Sequence, residues 1–196
     1  MGRPKEFDRN QLLAKATVIF QRHGFSATST QQLVEALGIN RKSMYAEFGS
    51  KQGLFEAVLK RYNEVTIAHN FGPLETPSAG LREIEEVIRF FALNARGKGA
   101  GVGCLLCNTA VERAANDDAT RPFVDGYIDR MTNAFQNALE NAQRGGEIRD
   151  GIDPIAQARF LTTSVLGIAV LVRAKSNPDI VDGAAEVALG HLGSLR

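Results

Sequence analysis

The sequence of 196 residues predicts an all-α protein with about nine helices. Nearly every periodic segment repeats its apolar residues at the spacing of a helix, and no segment alternates apolar and polar residues as a strand does. Capping residues, glycines and prolines also stand at the ends of these segments. We expect a three-helix head over residues 1–48, a connecting helix over 49–70 and a larger helical body over 71–196.

Composition indicates an ordinary globular protein. The chain is 44% hydrophobic and 23% charged, which is too apolar for disorder. Two cysteines and no apolar N-terminal stretch argue against a secreted disulfide scaffold. The longest near-continuous apolar run, 165–172, is eight residues long, whereas a membrane-spanning helix needs about 20. We therefore expect a cytoplasmic protein that does not cross a membrane.

Capping residues set the expected helices of the head. Asp8 can cap the first helix, which ends at Gly24. Ser29 or Thr30 begins the second helix, which ends at Gly38. Asn40 begins a third helix that runs to about Phe48, and Ser50 can cap a fourth that runs to about Asn70.

The body begins after the proline-rich break at 71–78, and a glycine-rich segment at 97–103 is expected to be a flexible loop. Prolines that follow Asp153 and Asn177 mark two helix starts. Five body helices are expected, near 81–91, 104–115, 122–145 and 153–175, and from 177 onward.

Charge is distributed unevenly along the chain. Residues 1–62 carry ten basic and five acidic side chains, a net charge of +5, whereas the other 134 residues have a net charge of −4. A basic end on a mildly acidic body favours a polyanionic partner. A chance excess of a few lysines is the alternative.

The second and third helices are short and meet at Gly38, which is the pattern of a helix-turn-helix unit because glycine permits the sharp turn. In such a unit the second helix enters the DNA major groove with its N-terminus first. Here residues 40–43 at that end can all donate hydrogen bonds to bases or phosphates. A small helical subdomain with a solvated basic face is the alternative. The candidate DNA contacts are Asn40, Arg41, Lys42, Ser43, Tyr45 and Lys51.

Three fixed spacings between residues 6 and 60 carry a family resemblance. A Gly-Phe pair at 24–25 follows the first helix, a Met-Tyr pair lies at 44–45, and Phe-x-Ser-Lys-x-x-Leu-Phe spans 48–55. This segment closely resembles the DNA-binding module of TetR-family transcriptional regulators. The resemblance implies that five of these candidates contact DNA, and it adds Thr30 and Gln31 as phosphate contacts. The five are Arg41, Lys42, Ser43, Tyr45 and Lys51.

The resemblance also implies a function. It implies a ligand-responsive regulator, a repressor, that binds a near-palindromic double-stranded operator as a homodimer and is released by a small molecule. The body would then hold the ligand-binding and dimerisation regions. A small-molecule-binding or thiol-sensing helical protein in which DNA binding is secondary is the alternative.

The last two helices form the expected dimer interface. The helix over 153–175 has an apolar face with small residues, and with the final helix it can build a four-helix seam, as the resemblance implies. A buried core helix of a monomer is the alternative. The candidate interface residues are Ser164, Val165, Ile168, Leu171, Ala188, His191, Leu192 and Leu195.

Phenylalanines at inward helical spacing, with a few polar residues near them, predict an internal pocket for a largely apolar effector. Its occupancy is expected to bias the fourth helix, taken as the only rigid link from body to head. A fully packed core is the alternative. The candidate lining residues are Phe90, Phe91, Asn94, Cys107, Phe123, Tyr127, Met131 and Phe160.

Cys104 and Cys107 have metal-like spacing, but no metal site is expected because the three histidines of the chain are not paired. Two buried hydrophobes, a thiol sensor or a ligand contact are the alternatives for this pair. Because the sequence contains no nucleophile elbow and no dinucleotide-binding loop, we expect no catalytic residue, no cofactor and no enzyme activity.

Overall fold

The computed structural model describes residues 7–196, so the expected head residues 1–6, with Arg3 and Lys5, lie outside it. Every regular element in the described part is helical, which confirms the all-α class. A π-helical turn over Asn63–Ile67 joins α4 and α5 into one continuous rod. The ten α-helices of residues 7–196 therefore form nine helical rods. The helices are α1 Arg9–His23, α2 Thr30–Leu37, α3 Arg41–Phe48, α4 Lys51–Tyr62, α5 Ala68–Phe71, α6 Leu81–Leu93, α7 Leu105–Glu112, α8 Arg121–Arg144, α9 Pro154–Arg173 and α10 Pro178–Ser194.

The expected capping residues begin their helices. The Asp8 carboxylate accepts the Asn10 N–H at 2.8 Å, and Ser29 forms a capping box with Gln32. Gly38 ends α2 with φ of 70°, a left-handed conformation that glycine adopts without a steric penalty. The other predicted caps also accept backbone N–H groups: Asn40, Ser50, Asp153 and Asn177.

The head has an apolar core to which four helices contribute. Leu13 and Phe20 of α1, Leu33 of α2 and Met44 of α3 are each at most 2% exposed. Phe55 of α4 closes this core, with its ring centroid 4.9 Å from that of Phe20. The first half of α4 is therefore packed into the head, and only its continuation extends into the body.

The body is built around α8 and α9, which pack along their length with α6, α7 and α10 beside them. By length and composition alone, helix α9 would be able to cross a bilayer, although its longest near-continuous apolar run is the eight residues 165–172. One such helix is weak evidence for a membrane span, because core helices pass the same test. Leu161 and Val165 of α9 are fully buried within the chain, so packing against neighbouring helices accounts for part of its apolar composition.

The glycine-rich segment at 97–103 is held against the body, which differs from the flexible loop expected. It begins with a 3₁₀ turn over Gly97–Gly99, and the Gly101 N–H donates to the Val172 carbonyl at 2.9 Å. Gly101 and Gly103 have φ of 80° and 66°, a region that side chains rarely allow. These glycines let the backbone turn closely against α9.

Candidate nucleic-acid interface and ligand cavity

The N-terminus of α3 presents the basic side chains of the head. The Asn40 side-chain oxygen accepts the Ser43 N–H at 2.8 Å, so this oxygen caps the helix and the Asn40 amide protons stay available. Arg41 and Lys42 are exposed in the first turn. The local sequence thus places two cations and an amide donor at the end that a helix-turn-helix unit inserts into the major groove.

Tyr45 joins α2 and α3 at this surface. The Arg41 Nη2 donates to the Tyr45 hydroxyl at 3.3 Å. Hydrogen bonds with Thr30 and then with Arg41 lower the pKa of Tyr45 below its ordinary value. Gln31 is exposed on α2 and donates to Glu35 at 3.0 Å. The structure therefore brings Thr30, Arg41 and Tyr45 together in one polar cluster.

Lys51, the first residue of α4, is packed on an aromatic ring. Its Nζ is 4.1 Å from the centroid of Phe25, and the Arg113 guanidinium is 3.6 Å from the same centroid. Burial, followed by repulsion from Arg113, lowers the pKa of Lys51. Lys51 thus contacts the turn after α1 at the boundary between head and body.

Glu112, at the end of α7, holds the turn that follows α1. Its two carboxylate oxygens accept the N–H groups of Phe25 at 3.0 Å and Ser26 at 2.7 Å. Burial acts to raise the pKa of Glu112, but these hydrogen bonds outweigh it and the pKa is lowered. A Cβ atom on Gly24 would lie 2.6 Å from this carboxylate. The sequence did not indicate this contact, because Glu112 lies 87 positions from Phe25.

A second set of bonds ties the C-terminal end of α1 to the body. The Arg173 Nη1 donates to the carbonyl oxygens of Gln21 at 3.1 Å, Arg22 at 2.9 Å and Gly101 at 2.8 Å. The Gln21 side chain donates in turn to the Gly103 carbonyl at 2.6 Å. The expectation that the fourth helix is the only rigid link is therefore wrong, because α1 is bonded directly to the body.

A cavity of about 170 Å³ lies where this link meets the connecting rod. Three of the predicted lining residues, Phe90, Phe91 and Asn94 of α6, line it. Its other walls come from α1, the α4–α5 rod, the glycine segment and α9. Those walls are Gln21, Tyr62, Thr66, Asn70, Gly99, Val102, Gly103, Cys104, Ala169 and Val172.

The other five predicted lining residues lie away from this cavity, which corrects their placement. Tyr127 and Met131 are fully buried, because the inward face of α8 is filled by the core. Phe123 packs at the edge of that core, and Phe160 is 43% exposed on the outer face of α9. Cys107 lines a different surface depression, beside His23 and Val111.

Both cysteines are buried and have separate partners. The Cys104 Sγ lies 3.6 Å from the Tyr127 hydroxyl, and the Cys107 Sγ donates to the Leu166 carbonyl at 3.8 Å. Burial raises the pKa of Cys107 to about 12, which disfavours the reactive thiolate. Over residues 7–196, no group of three metal-ligating side chains is arranged to hold an ion.

An exposed apolar groove of about 740 Å³ runs between α9 and α10. Four predicted interface residues line it: the partly buried Ser164 and Leu171, and at its floor Ile168 and Ala188, which are only 2% and 3% exposed. Its most exposed apolar members, Phe160, Val170 and Val187, are 43%, 43% and 72% exposed, and they are not among the candidate interface residues.

The remaining predicted interface residues are turned inward or bonded within the chain. Val165, Leu192 and Leu195 are at most 3% exposed, so the chain itself already covers these side chains. The His191 Nε2 is 2.6 Å from the Gln157 Oε1, and its ring packs edge-on to Phe160. In α9 and α10, apolar residues at the helical period form two adjacent stripes. Only the packing of the helices decides which stripe faces the core.

Comparisons with known proteins agree with this architecture. The family described as bacterial regulatory proteins, tetR family, matches residues 12–58, and a tetracyclin repressor-like C-terminal domain matches residues 80–188. The transcriptional repressor ComR of Escherichia coli strain K12 is 32% identical over 176 residues, which cover 88% of this chain and 82% of that protein. The HTH-type transcriptional regulator YezE of Bacillus subtilis strain 168 is 29% identical over 193 residues, covering 98% of this chain and all of that protein.

A solved structure shares the whole fold. It is a cysteine mutant of the TetR-family regulator CifR complexed with 26-bp double-strand operator DNA. It superimposes with a TM-score of 0.80 at 26% identity and covers 95% of this chain and 98% of that one. With both family regions matched and the helix-turn-helix head in place, the chain belongs to the TetR family of transcriptional regulators.

Proposed function

We propose that this regulator is a repressor that binds a near-palindromic operator as a homodimer and releases it when a small molecule enters the body. The observation that carries the proposal is the capped N-terminus of α3, which holds Arg41 and Lys42 exposed beside the Tyr45 cluster. The CifR structure supports it, because that relative of the same fold is complexed with operator DNA. The proposed DNA contacts are Thr30, Gln31, Asn40, Arg41, Lys42, Ser43, Tyr45 and Lys51.

The α9–α10 groove supports the homodimer. Contiguous exposed apolar surface at this groove is costly unless it is covered, and large patches of this kind mark interfaces. A second copy packed on it would pair α9 and α10 of each subunit in a four-helix seam. Two heads about 34–36 Å apart then read two successive major grooves on one face of the DNA.

Three further features belong to the proposal. The 170 Å³ cavity is the effector site, since it is partly enclosed and lies at the link between body and head. The relatives above are regulators, which supports a non-enzymatic role. We place the protein in the cytoplasm, where operator DNA of a bacterium lies.

DNA binding by the full chain is tested with fluorescence anisotropy, at stated salt, on DNA from upstream of its own gene. We expect this DNA to bind more tightly than a scrambled fragment. The variant Arg41→Ala should weaken the free energy of operator binding by about 1–3 kcal/mol, because one bidentate contact to a base contributes about that much. Arg82→Ala, which removes an exposed arginine of α6, is the control and should bind normally. Equal binding of upstream and scrambled DNA by all three proteins would contradict the proposal.

A further inference from the structure

The cavity lies between head and body, and one head residue forms part of its wall. Gln21 belongs to α1, yet it lines the cavity together with residues of the rod, α6 and α9. We propose that the cavity binds a small uncharged molecule, about the size of one aromatic ring and carrying a hydrogen-bonding group, and that Gln21 contacts it directly. This inference rests on the proposed function, since it names the chemical class of the effector.

The size of the cavity sets the size of the ligand. Its volume is about 170 Å³, and an engineered apolar cavity of about 150 Å³ holds one benzene molecule. A single ring with one short substituent fills this space. Phe90, which is 46% exposed, and the buried Phe91 both line the cavity with their rings perpendicular to each other, so the wall is aromatic where such a ring would pack.

The lining excludes a charged ligand. It contains no aspartate, glutamate, lysine, arginine or histidine, so a buried ion would find no counter-charge there. Burying an unpaired ion costs far more than burying a neutral polar group. The neighbouring Arg173 does not line the cavity, and its Nη1 is engaged by three carbonyl groups.

Four polar side chains give the ligand its hydrogen-bonding partners. Thr66 and Asn70 line the cavity, and neither side chain has a hydrogen-bond partner among residues 7–196. Asn94 uses its amide nitrogen on the Phe90 carbonyl at 2.8 Å, which leaves its oxygen for the ligand. Because the Gln21 nitrogen is bonded to Gly103, its oxygen is likewise an acceptor. A hydroxyl or amide of the ligand can both donate and accept here.

The sharpest test compares three probes of equal size with the full chain, by titration calorimetry at pH 7 without DNA. Benzyl alcohol is neutral, whereas benzylamine is a cation and benzoate an anion at this pH. We expect benzyl alcohol to bind and each ion to bind at least about tenfold more weakly. Benzoate or benzylamine binding as tightly as benzyl alcohol, or no binding of any probe, would overturn the proposal.

A charge placed in the lining should change this preference. Asn70→Asp keeps the shape of the side chain but adds a counter-charge for a cation, so benzylamine should gain about tenfold relative to benzyl alcohol. The control is Asn133→Asp on the exposed face of α8, outside the lining, and it should leave the ratio of the two affinities unchanged. An unchanged ratio of benzylamine to benzyl alcohol affinity in Asn70→Asp would overturn the assignment of the cavity.

A separate variant tests the contact between Gln21 of the head and the ligand. Gln21→Met keeps a side chain of similar length without its amide, and it should weaken benzyl alcohol binding by about fivefold, as expected for one hydrogen bond. Gln11→Met, an exposed change on the same helix, is the matched control. Equal affinities in the two variants would remove Gln21 from the site.

The ligand class and the regulator role fail separately. If the titration gives the expected order but no operator fragment binds the chain, the regulator proposal fails and the ligand class stands. If the operator binds but the probes show no preference for the neutral one, the ligand class fails and the regulator proposal stands.

Discussion

At the scale of single residues, one carboxylate on the body holds two N–H groups of the head. Glu112 accepts from Phe25 and Ser26, which lie in the turn after α1 and have no helical partner for these donors. Hydrogen bonds to an ionised acceptor are stronger than those between neutral groups. The same bonds that lower the pKa of Glu112 therefore stabilise the folded chain while the carboxylate is charged.

The variant Glu112→Gln should show this as a pH-dependent loss of stability. Since the pKa of Glu112 is lower in the folded state, its contribution is present above the unfolded value of about 4.3 and disappears as pH falls through the folded value. At pH 7 we expect a Tm about 2–4 °C lower, roughly 1 kcal/mol after allowance for the solvent exposure of the carboxylate. Thermal unfolding from pH 7 to pH 3 should show the two curves converging. Glu186→Gln, on the exposed face of α10, is the control, and a gap between wild type and Glu112→Gln that does not change with pH would contradict the linkage.

At the scale of elements, the angle between α3 and α4 depends on one close approach. A Cβ atom added to Gly53 would lie 2.2 Å from the Phe48 carbonyl oxygen. This obstacle is backbone, so no side-chain rotation relieves it. The N-terminus of α4 can pack on the end of α3 only because residue 53 has no side chain, and that packing sets the position of the recognition helix on the head.

We expect Gly53→Ala to destabilise the protein by about 1–3 kcal/mol, as overpacking does, and to weaken operator binding because α3 must shift. The control is Gly126→Ala in α8, where an added Cβ meets nothing within 4 Å. That variant should gain up to about 1 kcal/mol from helix propensity. Chemical denaturation and anisotropy measure both effects. If the two variants behave alike, the close approach does not control the head.

At the scale of the whole molecule, two features matter for the proposed regulator. The exposed apolar groove matters for dimer formation, and the head–body link matters for coupling the cavity to the DNA-binding head. The groove between α9 and α10 offers a surface for a second copy, which the proposed two-headed reading of DNA requires. The Arg173 and Gln21 bonds connect the body and the cavity wall to α1, so we expect a shift in the body to reach the head without passing through α4.

The dimer is tested by placing a charge in the groove. Val187 is 72% exposed there, and Val187→Glu would bury two like charges across a symmetric seam, which is strongly unfavourable. Light scattering should show a dimer for the wild type and a monomer for this variant. Leu93→Glu, at a similarly exposed position of α6, should stay dimeric. A wild-type monomer, or a dimer in both variants, would contradict the proposed seam.

The sequence by itself determined the class of fold, the caps, the turn at Gly38 and the basic end of α3. These features depend on residues within about four positions of one another, so the local chain carries their physical cause. The tertiary structure alone decided which stripe of α8 and α9 faces the core, and so which residues line the cavity or the groove. Gln21 and Gly103 are separated by 82 positions, as Glu112 is from Phe25 by 87. Such contacts depend on how whole helices pack. Two adjacent apolar stripes of a helix look alike in the sequence, but only one of them is covered by the chain itself.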